Sequence, residues 1–346
     1  MGKDKMQDLF EEQFPKNSTD FSSETIKEKI ASFCSSLFDE KLFTIAFPLS
    51  NLSLYRVRYQ ETFDIYDISQ YGYIQDTSRI KRLRYNLPEE QVLYTATHPY
   101  VAYRETEYDG APSHFFLSIW RKKAEFKDDF MVYPVFPSDW GTVKGTAAKY
   151  RKGMDSVYLK MPDKQKWAHS VGHYLEAPKT GWPNEDYILS SSMAHRILMG
   201  CDALLTVSQK SDDSELNITF NKSSADKIEL SVIYRCKSLD YQRNQNQLVL
   251  FYDVDSIGIP KNGQIQWHSF RIIPSSIKPV VPINVQKAKE IEALAMHAEY
   301  AKQEYNKGNL PDRIKISVQQ GINDCFHVCG SWGNLDVGFK AKIELI

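Results

Sequence analysis

Five polar residues, each in a short ordered segment, could do chemistry in this sequence: Arg56, Arg84, Tyr94, Glu105 and Ser208. A guanidinium group binds phosphate oxygens in pairs, and an aromatic ring stacks on a flat ligand. A carboxylate stabilises a developing positive charge on a sugar. Taken singly, each residue has a simpler explanation, because a strand arginine is usually ion-paired and a serine after a strand usually lies in a turn. They form a site only if the fold brings them together.

Two further groups of residues have spacings that occur in metal sites. His169 and His173 stand four positions apart, as on one face of a zinc-binding helix, but the glutamate of a metalloprotease motif does not follow the first histidine. Cys325, His327 and Cys329 would face one side of a strand, without an evident fourth ligand. We therefore predict no metal site, and a zinc enzyme based on the two histidines stays an alternative.

Several common classes of protein are disfavoured by what the sequence lacks. It contains no glycine-rich dinucleotide fingerprint and no Gly-x-Ser-x-Gly elbow, and Lys144-Gly145-Thr146 lacks the remainder of a phosphate-binding loop. The 43 basic and 44 acidic side chains nearly cancel, so general affinity for nucleic acid or for a membrane surface is not expected. Chemistry on a nucleotide would have to use another type of site.

The cysteines and the N-terminus favour a cytoplasmic protein. Five cysteines are an odd number without framework spacing, which indicates a reducing compartment. The N-terminal residues lead into no apolar signal segment. No apolar run approaches the roughly 20 residues that a membrane helix needs. We expect the chain to work in the cytoplasm.

An ordered set of short segments contains all five polar residues. The segments are Leu54-Tyr55-Arg56-Val57-Arg58, Arg84-Tyr85-Asn86-Leu87-Pro88, Val92-Leu93-Tyr94-Thr95-Ala96, Ala102-Tyr103-Arg104-Glu105, Ser190-Ser191-Ser192-Met193-Ala194, Cys201-Asp202-Ala203-Leu204-Leu205-Thr206-Val207-Ser208 and Asn217-Ile218-Thr219-Phe220. This order resembles the RES domain, which is named for its Arg, Glu and Ser and occurs in bacterial toxin–antitoxin pairs. The resemblance covers residues 51–121 and 185–222.

The resemblance implies a substrate and a role for each residue. The family is related to ADP-ribosyltransferase toxins and consumes NAD, which is its substrate, so no other cofactor is expected. Arg56, as a catalytic arginine, and Arg84, as a binding residue, would hold the phosphates. Tyr94 would give the nicotinamide ring a face for stacking. Glu105 would stabilise the oxocarbenium-like ribose, and Ser208 would orient the ribose or the nicotinamide amide by hydrogen bonds.

The chain departs from the family pattern around these residues. Tyr85 replaces the usual tryptophan, and Glu89 stands where a turn glycine is expected. Ser191 replaces the common glutamine, and Ala203 and Val207 replace a glycine and a proline. The predicted functional residues are thus retained in a scaffold that has changed.

We therefore expect cleavage of the nicotinamide–ribose bond of NAD, by a glycohydrolase or phosphorylase that acts as a toxin or defence effector. The resemblance also implies an antitoxin protein that blocks the site. One alternative is transfer of ADP-ribose to a protein. Another is a catalytically inactive module that binds a nucleotide or a partner. The Ala-rich helix expected at 285–306 would pack inside the C-terminal region or, alternatively, form a homo-oligomeric interface.

The fold expected around the site is α+β. A RES/ADP-ribosyltransferase-like core with a small, strongly bent sheet would span residues 51–222, with an insertion at 122–180. An N-terminal helical extension would precede it at 1–50, and an α+β region would follow at 223–346.

Local patterns predict the individual elements. Alternating or apolar runs predict strands at 52–58, 92–95, 114–120, 203–207, 216–220, 228–234 and 248–252, and a hairpin-like end at 313–346. Thr25 and Thr97 are expected to cap helices, the second with Pro99 in its first turn. The serines at 190–192 would cap a third helix whose buried face is Met193, Ala194, Ile197 and Leu198.

Overall fold

The computed structural model of the chain describes residues 44–49, 52–59, 63–106, 114–135, 188–208, 215–244, 247–276, 288–310, 312–317, 326–332 and 335–346, with residues 28 and 32. The mixed α+β class is confirmed, and strands outnumber helices in these ranges. The helix predicted after Thr25 lies outside them except for residues 28 and 32, and so do residues 136–187, His169 and His173 included. No helix in the described ranges has both the length and the apolar character needed to cross a membrane.

The described ranges contain fourteen strands, four α-helices and two short 3-10 helices. The strands are β1 (Ile45–Phe47), β2 (Leu54–Tyr59), β3 (Val92–Ala96), β4 (Phe115–Lys122), β5 (Phe130–Val135), β6 (Ala203–Val207), β7 (Leu216–Asn221), β8 (Ile228–Asn244), β9 (Gln247–Lys261), β10 (Gln264–His268), β11 (Phe270–Ser276), β12 (Arg313–Ser317), β13 (Phe326–Trp332) and β14 (Leu335–Leu345). The helices are α1 (Pro99–Glu105), α2 (Ile188–Leu198), α3 (Lys222–Ala225) and α4 (Ala288–Asn306), with 3-10 turns at Ile68–Tyr71 and Thr77–Arg79.

The chain divides into two compact units. The first comprises Met1–Arg56, Ser69–Glu105 and Trp120–Glu229, and the second comprises Val57–Ile68, Thr106–Ile119 and Leu230–Ile346. All five predicted site residues belong to the first unit. The division into 1–50, 51–222 and 223–346 that we expected from sequence stays a prediction.

In the first unit the strand order is β1-β5-β6-β7-β3-β2. β5 and β6 are parallel, whereas β1 pairs with β5, β6 with β7, β7 with β3 and β3 with β2 in antiparallel orientation. All five residues of β6 are buried, as its uninterrupted apolar run predicts. The strands predicted at 92–95, 203–207 and 216–220 are confirmed with small changes of their ends.

Strand β5 differs from the expectation, because its residues fall inside the predicted insertion at 122–180. Phe130–Val135 pairs with β6 along four residues, with Val132 opposite Ala203. Pro134 obscured this strand in the sequence, since proline cannot donate a ladder hydrogen bond. In the structure, Pro134 lies outside the three residues of β5 that pair with β1.

Two helix caps also differ from the expectation. The Thr97 hydroxyl does not cap α1, because it donates to the Leu216 carbonyl at 3.0 Å. His98 Nδ1 instead accepts from the Tyr100 N–H at 3.3 Å. The serines at 190–192 lie inside α2, which begins at Ile188, and Ser190 and Ser191 are buried there. The predicted buried face of α2 is confirmed at Met193, Ala194, Ile197 and Leu198.

The second unit is an antiparallel arrangement with one helix. Its strand order is β8-β9-β12-β13-β14-β11, and β10 pairs with β9. The hairpin-like end is confirmed, because β13 pairs with β12 and β14 in antiparallel register. Along α4, Ala301 is buried whereas Ala295 is exposed. The Tyr305 hydroxyl at the end of α4 donates to the Ile272 carbonyl at 3.1 Å.

Candidate functional site

The carboxylate of Glu105 is the centre of the first group of site residues. The Ser208 hydroxyl donates to Glu105 Oε1 at 2.7 Å, and the Asn217 amide donates to the same oxygen at 2.8 Å. Glu105 ends α1, Ser208 follows β6 and Asn217 lies in β7. We call these three residues the carboxylate cluster. The fold thus brings together Glu105 and Ser208, two predicted site residues that are 103 positions apart in the sequence.

Backbone contacts at one end of the sheet hold this cluster in place. The Thr97 N–H donates to the Leu216 carbonyl at 2.9 Å, and the Leu216 N–H donates to the Thr97 hydroxyl at 3.3 Å. The Ser208 N–H donates to the Glu215 carbonyl at 2.9 Å. These bonds tie the segment before α1 and the end of β6 to the start of β7. The three side chains therefore converge because three elements are joined at their ends.

The exposure of the cluster suits a ligand. Ser208 is fully buried and Asn217 is half-buried, whereas Glu105 is exposed. Among the described residues, both donors bind Glu105 Oε1, and none binds Oε2. A buried donor and a half-buried donor thus orient a carboxylate whose second oxygen is available to a ligand.

Tyr94 is the centre of the second group. Its hydroxyl accepts from the Tyr85 N–H at 3.1 Å and donates to Asn86 Oδ1 at 2.9 Å. The rings of Tyr85 and Tyr94 lie 6.0 Å apart at a tilt of 32°. Burial raises the pKa of Tyr94 well above its usual value, so the phenol stays protonated and keeps donating. Tyr94 therefore fixes the turn that contains Arg84.

The two predicted arginines lie around this tyrosine. Arg56 Nη1 donates to the Tyr94 carbonyl at 3.3 Å. The Arg84 guanidinium lies 5.9 Å from the centroid of the Tyr85 ring. The positive charges of both arginines lower the pKa of Tyr94, against the larger effect of burial. Arg56, Arg84 and Tyr94, with Tyr85 and Asn86 as their supports, form what we call the tyrosine cluster.

One face of the sheet connects the two clusters. Tyr94 lies opposite Thr219, and Asn217 lies opposite both Ala96 and Thr206. Directly opposite residues of antiparallel strands point to the same side of a sheet. Asn217 and Thr219 are two residues apart on β7, which is about 7 Å. We call Tyr94, Thr206, Asn217 and Thr219 the polar face.

Segment 81–91 also contacts helix α2. Arg82 Nη1 donates to the Ser191 hydroxyl at 3.0 Å, and His195 Nδ1 lies 2.9 Å from Glu90 Oε1. Glu90 Oε2 also accepts from the Leu87 N–H at 2.7 Å. These contacts hold the turn with Arg84 against α2.

Sequence reasoning missed Asn217 and Asn86 as part of the site. Asn217 was visible as a polar residue in the otherwise apolar start of β7, inside a segment already compared with the RES pattern. Its role depends on β7 lying between β3 and β6, which local patterns do not show. Asn86 bonds Tyr94 and donates to the carbonyls of Lys81 and Leu87 at 2.9 and 2.8 Å.

In the part of the chain that the structure describes, no group of three or more His, Cys, Asp and Glu side chains could hold a metal ion. Cys325, one of the three residues of the weaker metal motif, lies outside that part. Comparison with protein-family models, with curated proteins and with solved structures finds no match to this chain.

Proposed function

We propose that the first unit is a RES/ADP-ribosyltransferase-like core that cleaves the nicotinamide–ribose bond of NAD. The observation that supports this most is the 2.7 Å hydrogen bond between Ser208 and Glu105. The RES-like order of segments predicts these two residues in one site, although they are far apart in sequence. The arginine-flanked Tyr94 lies on the same face of the sheet as Asn217, which also bonds Glu105.

In the proposed reaction, the bond between ribose C1′ and the nicotinamide nitrogen breaks. Its electron pair goes to the ring nitrogen, so neutral nicotinamide leaves and positive charge develops on the ribose. The Glu105 carboxylate stabilises that charge. Water or phosphate then adds to C1′, and water loses a proton to solvent. The products are nicotinamide and ADP-ribose, free or as a phosphate ester.

Ser208 and Asn217 act in this proposal through Glu105. The buried Ser208 hydroxyl donates to the carboxylate, so we assign Ser208 as a positioning residue, in place of the contact with the ribose or the nicotinamide amide expected from sequence. Asn217 has the same role from the neighbouring strand. Two donors on one oxygen limit rotation of the carboxylate and keep it in a reactive orientation.

The arginines of the tyrosine cluster are the proposed phosphate-binding groups. A guanidinium binds two phosphate oxygens at once, and Arg56 and Arg84 both lie close to Tyr94. The Tyr94 hydroxyl already bonds Tyr85 and Asn86, so its ring is the part that remains for nicotinamide. In a cell we propose a cytoplasmic toxin or defence effector, whose site an antitoxin protein would block.

The direct test is nicotinamide release from NAD by the purified full-length chain, with and without phosphate. Free ADP-ribose would identify a glycohydrolase, and an ADP-ribose phosphate ester would identify a phosphorylase. Label from NAD that appears on added cell protein would indicate the ADP-ribosyltransferase alternative. NAD binding without nicotinamide release under any of these conditions would contradict the proposal and support an inactive binding module.

A further inference from the structure

We infer that Thr206 and Thr219 form a subsite for the carboxamide group of nicotinamide, an inference that rests on the proposed function. Both threonines are 1% exposed. Within the described part of the chain, neither hydroxyl has a hydrogen-bond partner. A buried hydroxyl without a partner destabilises a protein, whereas a valine side chain has the same shape and no polar group to leave unpaired. Two such hydroxyls on neighbouring strands indicate that they bind a ligand.

Threonines elsewhere in the same sheet do have partners. The buried Thr95 hydroxyl, on the other face of β3, donates to the Ile218 carbonyl at 2.9 Å. The Thr97 hydroxyl is bonded to the backbone of Leu216. The backbone of this sheet can therefore satisfy threonine hydroxyls. The two exceptions, Thr206 and Thr219, both belong to the polar face.

The position of the two threonines matches the nicotinamide end of NAD. Thr206 lies opposite Asn217, which bonds Glu105, and Thr219 lies opposite Tyr94. Thr206 on β6 therefore lies beside the carboxylate cluster, and Thr219 on β7 lies beside Tyr94, two residues along the strand from Asn217. A ribose held at Glu105, with its base directed toward Tyr94, would place the base over these two hydroxyls.

The chemistry of a carboxamide fits two hydroxyls. Its oxygen accepts a hydrogen bond and its amino group donates one, whereas each threonine hydroxyl can do either. Thr206 and Thr219 are diagonal neighbours on adjacent strands, with backbones about 7–8 Å apart and side chains closer. One carboxamide can therefore bond to both. Nicotinate should bind more weakly, because its carboxylate has no N–H donor and would bury a charge.

The experiment measures binding of nicotinamide and of nicotinate by calorimetry to the full-length protein and to Thr206→Val and Thr219→Val. We expect each substitution to weaken nicotinamide binding about 10-fold and to remove the preference over nicotinate, while the free energy of unfolding stays equal or rises. Thr206→Ser and Thr219→Ser, which keep the hydroxyl, should retain most of the binding. Thr95→Val is the control on the other face and should bind nicotinamide like the wild type.

Each other outcome overturns the inference. Equal binding of nicotinamide by the wild type and both valine variants would show that the hydroxyls do not contact it, and so would a wild type that binds none. Valine variants less stable than the wild type would show that the hydroxyls have a structural partner. NAD cleavage by the same wild-type preparation is a separate readout, so the proposed function can hold while the subsite fails.

Discussion

At the level of single residues, the proposed reaction depends on how the Glu105 carboxylate is held. Ser208 supplies one of its two donors from a fully buried position. Ser208→Ala should therefore lower kcat for nicotinamide release about 10- to 100-fold while KM for NAD changes little, because the lost contact orients a catalytic group. Steady-state kinetics with a thermal unfolding curve measure both effects.

The control for this variant is Ser223→Ala, which removes an exposed hydroxyl bonded to Asn221. It should leave kcat unchanged. A Ser208→Ala protein that is less stable but keeps the wild-type kcat would show that the serine is purely structural.

His98 gives the first unit a pH dependence of stability. Burial lowers its pKa from 6.5 to about 4, so the neutral ring, which accepts from Tyr100, is the folded form. Because the folded-state pKa is the lower one, the stabilisation is complete above pH 6.5 and is lost as pH falls toward 4. The free energy of unfolding should drop by about 2 kcal/mol between pH 7 and pH 5.

Denaturant titrations of the wild type and of His98→Asn measure this effect. Asparagine can still cap a helix but does not titrate. The variant should lose that part of the pH dependence, and parallel curves for the two proteins would contradict the assignment.

At the scale of elements, the turn between segment 81–87 and β3 contains a strained residue. Glu89 has φ of 66°, and the Glu90 N–H donates to the Leu87 carbonyl at 3.2 Å across Pro88. This is the position where the sequence comparison expected glycine. Glu89→Gly should stabilise the protein by about 0.5–1 kcal/mol, since the relief of left-handed strain exceeds the entropy lost by glycine on folding.

Equilibrium unfolding of Glu89→Gly and Glu89→Ala measures this gain. Alanine removes the same charge but keeps the strain, so it should not stabilise. If the two variants are equally stable, any change in the free energy of unfolding comes from the lost charge and not from the backbone conformation.

The elements themselves were predictable to different degrees. β3 and β6 follow from local runs of apolar residues, and the buried face of α2 follows from helical periodicity. β5 was missed because Pro134 lies within it. The prediction that Thr97 caps α1 was wrong because its hydroxyl bonds Leu216, a contact set by strand pairing rather than by the local sequence.

At the level of the whole molecule, the site also depends on strand pairing that the local sequence does not show. The five predicted residues all lie in the first unit, and the structure brings Glu105 to Ser208 and both arginines to Tyr94. Asn217 and the two polar-face threonines share a face with Tyr94 only because β7 lies between β3 and β6. Residue types and spacing identified candidates for chemistry, but long-range strand order decided which of them share a face.

Glu105 is the proposed catalytic carboxylate of an NAD-cleaving site. This role is tested by the rate of nicotinamide release from NAD by the wild type and by Glu105→Gln, which keeps the shape of the side chain and removes its charge. Glu229→Gln, at an exposed carboxylate of the same unit, is the matched control. We predict a rate at least about 100-fold lower for Glu105→Gln, with unfolding and the Glu229→Gln rate unchanged. A Glu105→Gln protein that releases nicotinamide at the wild-type rate would contradict the catalytic role of Glu105, and a folded wild type that releases none would contradict NAD cleavage.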